Sequence, residues 1–400
     1  MFKVITYERK DIMRDKQKLI QECMDRAVEN QEVAGVIALE IKDGKEIFFA
    51  KSGYADIKNN ILIGRDNIFR LYSQSKPITA TAAMMLIEDG ILDLGEPVGN
   101  YIESYNKQTY LSKDKVHKVP EENKMRIREL LNMTSGLVYP GLNTASEVEV
   151  GRLMNKMEKK LGSDKMMTTM EFAEELGKIP LNFIPGSHFQ YGTSADVLGA
   201  VIEKASGMSF GDFVRSRILE PLDMKDTDFY VPDSKKDRLV KAYRFTKGKL
   251  SKYSGDYLAI RNNGDPNPFE SGGAGLFSTI DDYAHFGQML LNGGTYEGKQ
   301  LLTPNSVKYL TSGKLNGTQQ LDLQKWQGLE GYTYGNLMRV LDDPRQASLI
   351  ANKGEYGWDG WLGAHFSNDP ETNTTFIMMV QRYDYGTGPL TRKIKNIIFS

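Results

Sequence analysis

The 400-residue sequence has a single cysteine, four histidines and no excess of either charge. With only Cys23, no disulfide can form within the chain, and the apolar residues at helical spacing around it favour a small buried side chain over a nucleophile. Lys plus Arg number 51 and Asp plus Glu number 52, so the net charge of −1 offers no general attraction for nucleic acid or an anionic membrane. The basic clusters Lys113–Lys118 and Lys156–Lys160 include or adjoin acidic residues, which is typical of a solvated surface.

Long apolar runs are also lacking. The longest, Ala82–Ile87, is far shorter than the ~20 residues that a membrane-spanning helix needs. Met1–Thr6 leads directly into charged residues, without the apolar core of a signal peptide. We therefore expect a cytoplasmic protein that binds neither membrane nor nucleic acid, with its oligomeric state open.

Few residues are suited to metal or cofactor binding. The histidines are far apart in sequence, and there is no His-Glu-x-x-His and no Cys-x-x-Cys. Gly272–Gly275 lacks the third glycine and the βαβ context of a dinucleotide fingerprint, which favours a tight turn. No metal and no cofactor are expected.

The spacing of apolar residues predicts an α+β fold. An amphipathic helix over residues 15–30 precedes two β-prone runs, Gly35–Ile41 and Glu46–Gly53, which flank an Asp-Gly pair typical of a hairpin. Ile68–Tyr72 is strand-like. Gln74–Asp89 is apolar on nearly every side, which predicts a buried helix.

Helical patterns dominate the middle of the chain, and strands return near its end. The predicted helices are Arg126–Asn132, Thr169–Lys178, Ala195–Lys204, Phe210–Leu219, Ile280–Leu291 and Leu390–Ile398. The predicted strands are Gly354–Trp361, Gly363–Ser367 and Thr374–Gln381. If the terminal hairpins share one antiparallel sheet, residues 1–90 and 276–400 form one α/β domain, and residues 91–275 form a mostly helical insertion.

Ser73-Gln74-Ser75-Lys76 stands where the buried helix begins. Ser-x-x-Lys places a hydroxyl and an amine one turn apart on the same face of a helix. A lysine can take the serine proton only when it is neutral, and both the helix N-terminus and the apolar surroundings disfavour its charge. Backbone N–H groups at such a helix start also point toward an incoming oxyanion. The same residues fit a helix-capping serine beside a surface lysine.

Other motifs compete for the role of nucleophile. Ser104–Lys107 and Ser112–Lys115 repeat the spacing but lie in a charged segment without a buried helix. Gly207–Gly211 matches the Gly-x-Ser-x-Gly elbow of α/β-hydrolases, which requires a preceding buried strand. A helix precedes Ser209 instead, so we interpret this motif as the end of one helix and the N-cap of the next.

Two further segments favour a cleft. Tyr191 lies just before the helix Ala195–Lys204, where its phenol can reach a cleft and a neighbouring lysinium would lower its pKa. Tyr356–Gly363 alternates glycine with aromatic residues, as in a strand that a ligand or another backbone approaches closely. An ordinary packed tyrosine and a twisted edge strand are the alternatives.

In this order, these segments resemble the serine β-lactamase and penicillin-binding protein superfamily, and within it class C β-lactamases and family VIII carboxylesterases most. The resemblance runs from about Val33 to the C-terminal helix. Its best stretches are Phe69–Lys76, Leu131–Leu137, Tyr191 with Asp196–Gly199, and Gly272–Thr279. It implies an antiparallel sheet flanked by helices, a mostly helical domain, and a site between them.

The resemblance also implies roles for individual residues. Ser73 would be the nucleophile that forms an acyl-enzyme, Lys76 would activate it, and Tyr191 would share the proton relay. The backbone N–H groups of Ser73 and Trp361 would form the oxyanion hole. The substrate would be a small ester, amide or lactam.

Two departures from the β-lactamase pattern bear on the substrate. The strand by the site carries Trp358-Asp359-Gly360 instead of Lys-Thr-Gly, and Thr193 replaces the asparagine of Tyr-x-Asn. We expect these four residues to bind substrate. The missing lysine and hydroxyl normally hold the carboxylate of a β-lactam, and Asp359 would repel that carboxylate if it faced the cleft. Because Trp-x-Gly resembles the esterase branch, we predict a carboxylesterase-like acyl hydrolase with weak or no β-lactam hydrolysis.

Two alternatives stay open at this point. The nonstandard third motif fits a catalytically silent binding or regulatory member of the same fold. Ser209 would be the nucleophile only if the chain were an α/β-hydrolase. Substituting Ser73 and Ser209 in parallel distinguishes the two nucleophiles.

Overall fold

A hairpin and a buried helix form the N-terminal part of the chain. The computed structural model describes residues 15–113 and 115–400, so the interpretation of Met1–Thr6 lies outside the described residues. The elements are α1 (Lys16–Glu29), β1 (Gly35–Lys42), β2 (Lys45–Asp56), β3 (Ile61–Leu62), β4 (Phe69–Arg70) and α2 (Lys76–Glu88). The predicted strand Ile68–Tyr72 is shortened to β4, because the backbone of Tyr72 has a φ of 46° and enters a 3-10 turn.

A mostly helical segment follows. Its elements are β5 (Thr109–Ser112), β6 (Lys115–Lys118), α3 (Ile127–Leu131), α4 (Ala145–Glu158), α5 (Thr169–Leu176), α6 (Ser194–Ser206), α7 (Phe210–Val214), β7 (Ala242–Thr246) and β8 (Lys249–Tyr253). The hairpins β5–β6 and β7–β8 and the helix α4 are not predicted by the sequence patterns. The helix predicted over Phe210–Leu219 is α-helical only as α7 and continues as a π-helical turn over Arg215–Leu219.

The C-terminal third completes the sheet. Its elements are β9 (Phe277–Ser278), α8 (Ile280–Leu291), β10 (Thr295–Tyr296), β11 (Lys299–Gln300), α9 (Pro304–Leu310), α10 (Gly317–Leu323), β12 (Tyr332–Gly335), β13 (Met338–Leu341), β14 (Tyr356–Asp359), β15 (His365–Asp369), β16 (Thr374–Val380) and α11 (Pro389–Phe399). The strand predicted over Gly354–Trp361 is shorter because a turn begins at Gly360, whose carbonyl accepts from the Gly363 N–H at 2.8 Å.

One eight-stranded antiparallel sheet contains the hairpins from both ends of the chain. Its strand order is β12-β13-β14-β15-β16-β1-β2-β3. β1 pairs with β16 in a register that sets Ile37 opposite Met379. The predicted α+β class and the sharing of one sheet by the terminal hairpins are therefore confirmed. The division into domains at residues 90 and 276 stays a prediction.

Apolar cores cover both faces of this sheet. Because side chains alternate along a strand, Ile37 packs into the large core with α2, whereas Ala38 packs with α1 and α11 on the opposite face. α2 is buried continuously from Lys76 to Leu86, as its composition predicts. Among the described residues, no helix is both long and apolar enough to cross a membrane.

Candidate active site

A 3-10 turn brings Ser73 to the start of α2. The turn covers Tyr72–Ser75 and leads directly into Lys76, the first residue of α2. The hydroxyl of Tyr72 donates to Asn262 Oδ1 at 2.8 Å, so a buried hydrogen bond holds the turn. Ser73 and Lys76 therefore lie on a rigid element.

The amine of Lys76 is wholly buried beside the hydroxyl of Ser73. Its Nζ lies 3.1 Å from Ser73 Oγ, 3.0 Å from the Tyr139 hydroxyl and 2.8 Å from the Gly273 carbonyl oxygen. Burial lowers the pKa of Lys76 from 10.5 to about 7, although the charge of Asp196 opposes this shift. A lysine with such a pKa is partly neutral at neutral pH, and a neutral amine can accept a proton.

Tyr191 lies close to both Ser73 and Lys76. Its hydroxyl accepts from Trp358 Nε1 at 2.9 Å, and Lys76 Nζ is 4.7 Å from the centre of its ring. Burial raises the pKa of the Tyr191 phenol, and hydrogen bonds with Ser73 and Trp358 oppose the rise. The expected lowering of this pKa by a lysinium is therefore wrong, because burial disfavours the phenolate and keeps the lysine partly neutral. A neutral phenol can donate a proton.

Tyr139 is a second tyrosine of the site, and no sequence motif reveals it. Its hydroxyl bonds to the amine of Lys76, and its ring centre is 5.6 Å from that of Tyr191. Burial raises the pKa of Tyr139 well above its usual value, so the hydroxyl stays protonated. Its place just after the stretch Leu131–Leu137 is the signal that could have pointed to it.

The glycine turn also contributes to the site. Gly272–Gly275 forms the predicted turn, and its Gly273 carbonyl accepts the hydrogen bond from Lys76. The Gly273 N–H donates to Asp196 Oδ1 at 3.0 Å. The buried carboxylate of Asp196 thus fixes the turn that orients the amine of Lys76.

Ser73 and Trp361 are the residues predicted to form an oxyanion hole. The first hydrogen bond of the 3-10 turn runs from the Gln74 N–H to the Leu71 carbonyl at 3.1 Å. The Ser73 N–H precedes this bond, so the turn does not require it. Within residues 15–113 and 115–400, no backbone carbonyl accepts the N–H of Trp361. Both residues line one cavity, and their role as oxyanion donors stays a prediction.

This cavity has a volume of about 340 Å³ and is lined in part by Ser73. Its walls combine aromatic rings with a few polar groups. Among the residues that line it are Ser73, Tyr191, Trp326, Trp358, Trp361 and Arg392. A partly apolar substrate group fits the aromatic part of these walls.

Three of the four predicted substrate-binding residues reach the cavity. Trp358, Asp359 and Gly360 line it, whereas Thr193 is buried at the N-cap of α6. Thr193 Oγ1 donates to the Val138 carbonyl at 3.3 Å. This geometry disfavours direct contact between Thr193 and a substrate.

The carboxylate of Asp359 is paired with buried partners. Arg339 Nη1 lies 3.0 Å from its Oδ2 and His365 Nδ1 lies 2.5 Å from its Oδ1, while the Thr387 hydroxyl also donates to it. Burial acts to raise the pKa of Asp359, but the charges of Arg339 and His365 hold it well below its usual range. Because Arg339 offsets the negative charge, Asp359 repels a substrate carboxylate less than the sequence suggests.

The competing motifs lie outside this arrangement. Ser209 is the N-cap of α7 and accepts from the Asp212 N–H at 3.0 Å, and Gly207 ends α6 with a φ of 71°, so the capping interpretation is confirmed. Lys107 and Lys115 of the other Ser-x-x-Lys motifs are exposed. In the part of the chain that the structure describes, no group of three His, Cys, Asp or Glu side chains is arranged to hold a metal ion.

The antiparallel sheet, its flanking helices and the helix that begins at Ser-x-x-Lys define a β-lactamase/transpeptidase-like fold. The chain belongs to the Beta-lactamase family, which matches residues 17–394. It is similar to protein Rv1367c of Mycobacterium tuberculosis, with 28% identity over 361 residues that cover 87% of this chain and 86% of that protein. It is also similar to esterase EstB of Burkholderia gladioli, with 25% identity over 389 residues that cover 94% and 93% of the two chains.

Among solved structures, the chain is similar to EstCE1, a hydrolase with promiscuous acyltransferase activity. The TM-score is 0.82 at 24% identity, and the match covers 96% of this chain and 98% of that one. This likeness establishes the fold. The predicted membership of the serine β-lactamase and penicillin-binding protein superfamily is confirmed.

Proposed function

We propose that this protein is a serine acyl hydrolase that acts on esters or small amides through an acyl-enzyme on Ser73. The observation that supports this proposal most is the buried amine of Lys76, 3.1 Å from the Ser73 hydroxyl. A pKa of about 7 allows this amine to act as a base near neutral pH. A lysine that served only as a surface charge would lie in water.

In the proposed mechanism, neutral Lys76 takes the proton of Ser73 while Oγ attacks the substrate carbonyl carbon. The negative charge that forms on the carbonyl oxygen is stabilised by the N–H groups of Ser73 and Trp361. Tyr191 donates its proton to the leaving group as the carbon–leaving-group bond breaks, and Lys76 returns a proton to the phenolate. Water then attacks the acyl-enzyme in the same way, which releases the acid and restores Ser73.

We propose further that uncharged or hydrophobic esters are preferred over β-lactams. No lysine or hydroxyl stands at Trp358 or Asp359 to hold a carboxylate, and five aromatic side chains line the cavity beside Ser73, with Arg392 as the one cation among the described residues that line it. The expected preference rests on these two features. Repulsion by Asp359 does not contribute to it, because Arg339 offsets the charge of Asp359. Penicillins that turn over faster than short-chain p-nitrophenyl esters would reverse this ranking.

Parallel serine substitutions test the nucleophile. We expect Ser73→Ala to lower ester turnover by about 10³-fold or more, because the covalent step is lost. Ser209→Ala removes an N-cap and should cost about 1 kcal/mol of stability with little change in turnover. Turnover is measured with p-nitrophenyl acetate, and folding by circular dichroism.

A covalent probe provides an independent test. A fluorophosphonate should label the wild-type protein on Ser73, identified by mass spectrometry, and should not label Ser73→Ala. A folded wild-type protein that forms no adduct and hydrolyses no ester would favour the silent, ligand-binding alternative. A location in the cytoplasm stays a prediction.

A further inference from the structure

Three aromatic rings form one wall of the cavity, and the proposed mechanism does not use all of them. The ring centre of Trp326 is 5.0 Å from that of Tyr191 and 5.8 Å from that of Trp358, with edge-to-face geometry in both pairs. Tyr191 and Trp358 are themselves 5.4 Å apart. We call Tyr191, Trp326 and Trp358 the aromatic wall.

Trp326 is the exposed member of the aromatic wall. The residue is 39% exposed, and it lines the same cavity as Ser73. It lies in the segment 324–331, between α10 and β12. Apolar surface that stays exposed inside a cavity is available for a ligand to cover.

The helix α10, which leads into the segment that carries Trp326, is fixed to the segment that carries Tyr191. Asp322 of α10 lies 2.8 Å from His188 Nδ1 and accepts from the Phe189 N–H at 3.3 Å, two residues before Tyr191. Gln319 Nε2 donates to the Gly186 carbonyl at 2.7 Å. The aromatic wall is therefore a preformed surface.

The proposed chemistry decides which part of the substrate meets this wall. In the proposed mechanism, the carbonyl oxygen of the tetrahedral intermediate would point toward the N–H of Trp361, while the departing oxygen would lie within hydrogen-bond reach of the Tyr191 hydroxyl. Trp326 flanks the ring of Tyr191. The substituent on the departing oxygen consequently lies against the aromatic wall.

We propose that the aromatic wall binds the alcohol part of the ester, and that Trp326 makes the enzyme prefer apolar, ring-bearing alcohols. This inference rests on the proposed function. Aromatic rings gain from edge-to-face contact in addition to apolar burial, so a benzyl group should gain more from Trp326 than a methyl group. Trp326 is thus a specificity-determining residue for the leaving group.

The test varies the alcohol and the acyl group separately. For acetate esters, Trp326→Ala should lower kcat/KM for benzyl acetate by about 10-fold and for methyl acetate by less than about twofold. For p-nitrophenyl acetate, butyrate and hexanoate, which share one alcohol, it should lower kcat/KM by a common factor. For each substrate, kcat/KM of the variant is divided by kcat/KM of the wild type. This ratio removes differences in intrinsic reactivity between the substrates. Trp326→Phe keeps a ring and should restore most of the benzyl preference.

Leu321→Ala is the matched control. Leu321 lies on α10 in the same local segment but is 64% exposed and is not among the cavity-lining residues, so its loss should leave all the ratios unchanged. A Trp326→Ala variant that changes the acyl chain-length preference, or that affects benzyl and methyl acetate equally, would overturn the inference. Fluorophosphonate labelling of Ser73 in the same variant distinguishes the two proposals. If Ser73 is labelled, only the inference about Trp326 has failed; if it is not labelled, the proposed function has failed.

Discussion

At the scale of single residues, the buried amine of Lys76 makes activity depend on pH. Burial lowers the pKa of Lys76 to about 7, so the amine is charged below this pH and cannot accept the Ser73 proton. We expect kcat/KM for p-nitrophenyl acetate to rise with pH through about 7 and to level off above it. The measurement is the pH profile of kcat/KM, corrected for uncatalysed hydrolysis.

Two lysine substitutions sharpen this prediction. Lys76→Arg introduces a guanidinium that stays protonated and should lower kcat/KM by about 10³-fold. Lys107→Arg, in an exposed copy of the Ser-x-x-Lys motif, should keep the wild-type profile. A flat wild-type profile across the same pH range would contradict the role of Lys76.

Sequence reasoning identified Ser73 and Lys76 from a local motif whose spacing has a chemical meaning, and the resemblance to a known family implied the role of Tyr191. The structure brings these three together, and their catalytic roles stay predictions. Tyr139 was missed because its contact with Lys76 spans 63 positions, and no short pattern records such a distance. Arg339, the residue that offsets the charge of Asp359, was missed for the same reason, so the carboxylate looked unpaired in the sequence.

At the scale of elements, the turn after β14 must approach the turn that carries Ser73. A Cβ on Gly360 would lie 2.2 Å from the Leu71 carbonyl oxygen, which is closer than any side chain allows. We expect Gly360→Ala to push the two turns apart, with a loss of about 1–3 kcal/mol in the free energy of unfolding. Displacing the Trp361 N–H should also lower kcat/KM by about 10²-fold. Urea unfolding and ester hydrolysis measure the two effects.

Gly317→Ala is the control for this prediction. Gly317 begins α10, and a Cβ there meets nothing within 4 Å. Its substitution should change the free energy of unfolding by no more than about 1 kcal/mol and leave activity unchanged. A Gly360→Ala protein with wild-type stability and activity would show that the two turns do not need this close approach.

Helices and strands could be predicted from the sequence where a short local pattern indicates them. The Asp43-Gly44 pair is typical of a hairpin, and β1 and β2 flank it as predicted. The hairpin of β12 and β13 was missed because its turn uses Asn336 and Leu337, both with positive φ, and leucine gives no signal for such a turn.

At the scale of the whole molecule, buried charges connect the C-terminal helix to the strand beside the site. Glu355, just before β14, accepts from Lys395 Nζ of α11 and from the Tyr332 hydroxyl of β12, each at 2.8 Å. Arg339 of β13 lies 3.8 Å from Glu355 and 3.0 Å from Asp359. In the sequence these are isolated charged residues, since only the folded chain brings them into one network.

This network makes stability depend on the charge of Glu355. Burial acts to raise the pKa of Glu355, but the charges of Lys395 and Arg339 hold it at about 2, below its usual 4.5. A carboxyl with a lower pKa in the folded state stabilises the protein above its unfolded pKa, and this contribution is lost as the pH falls toward 2. The stabilisation is therefore complete at neutral pH.

We expect Glu355→Gln to lower the free energy of unfolding at pH 7 by about 3–5 kcal/mol, because it leaves a buried cation with one partner fewer. The difference in unfolding free energy between wild type and variant should shrink at pH 3, because Glu355 is then largely protonated in the unfolded chain but still mostly ionised in the folded protein. Urea unfolding at the two pH values measures both effects. Glu149→Gln, which breaks an exposed pair with Arg152, should cost less than about 1 kcal/mol at either pH. If wild type and Glu355→Gln have the same unfolding free energy at pH 7, or if their difference does not become smaller at pH 3, Glu355 does not stabilise the fold through its charge.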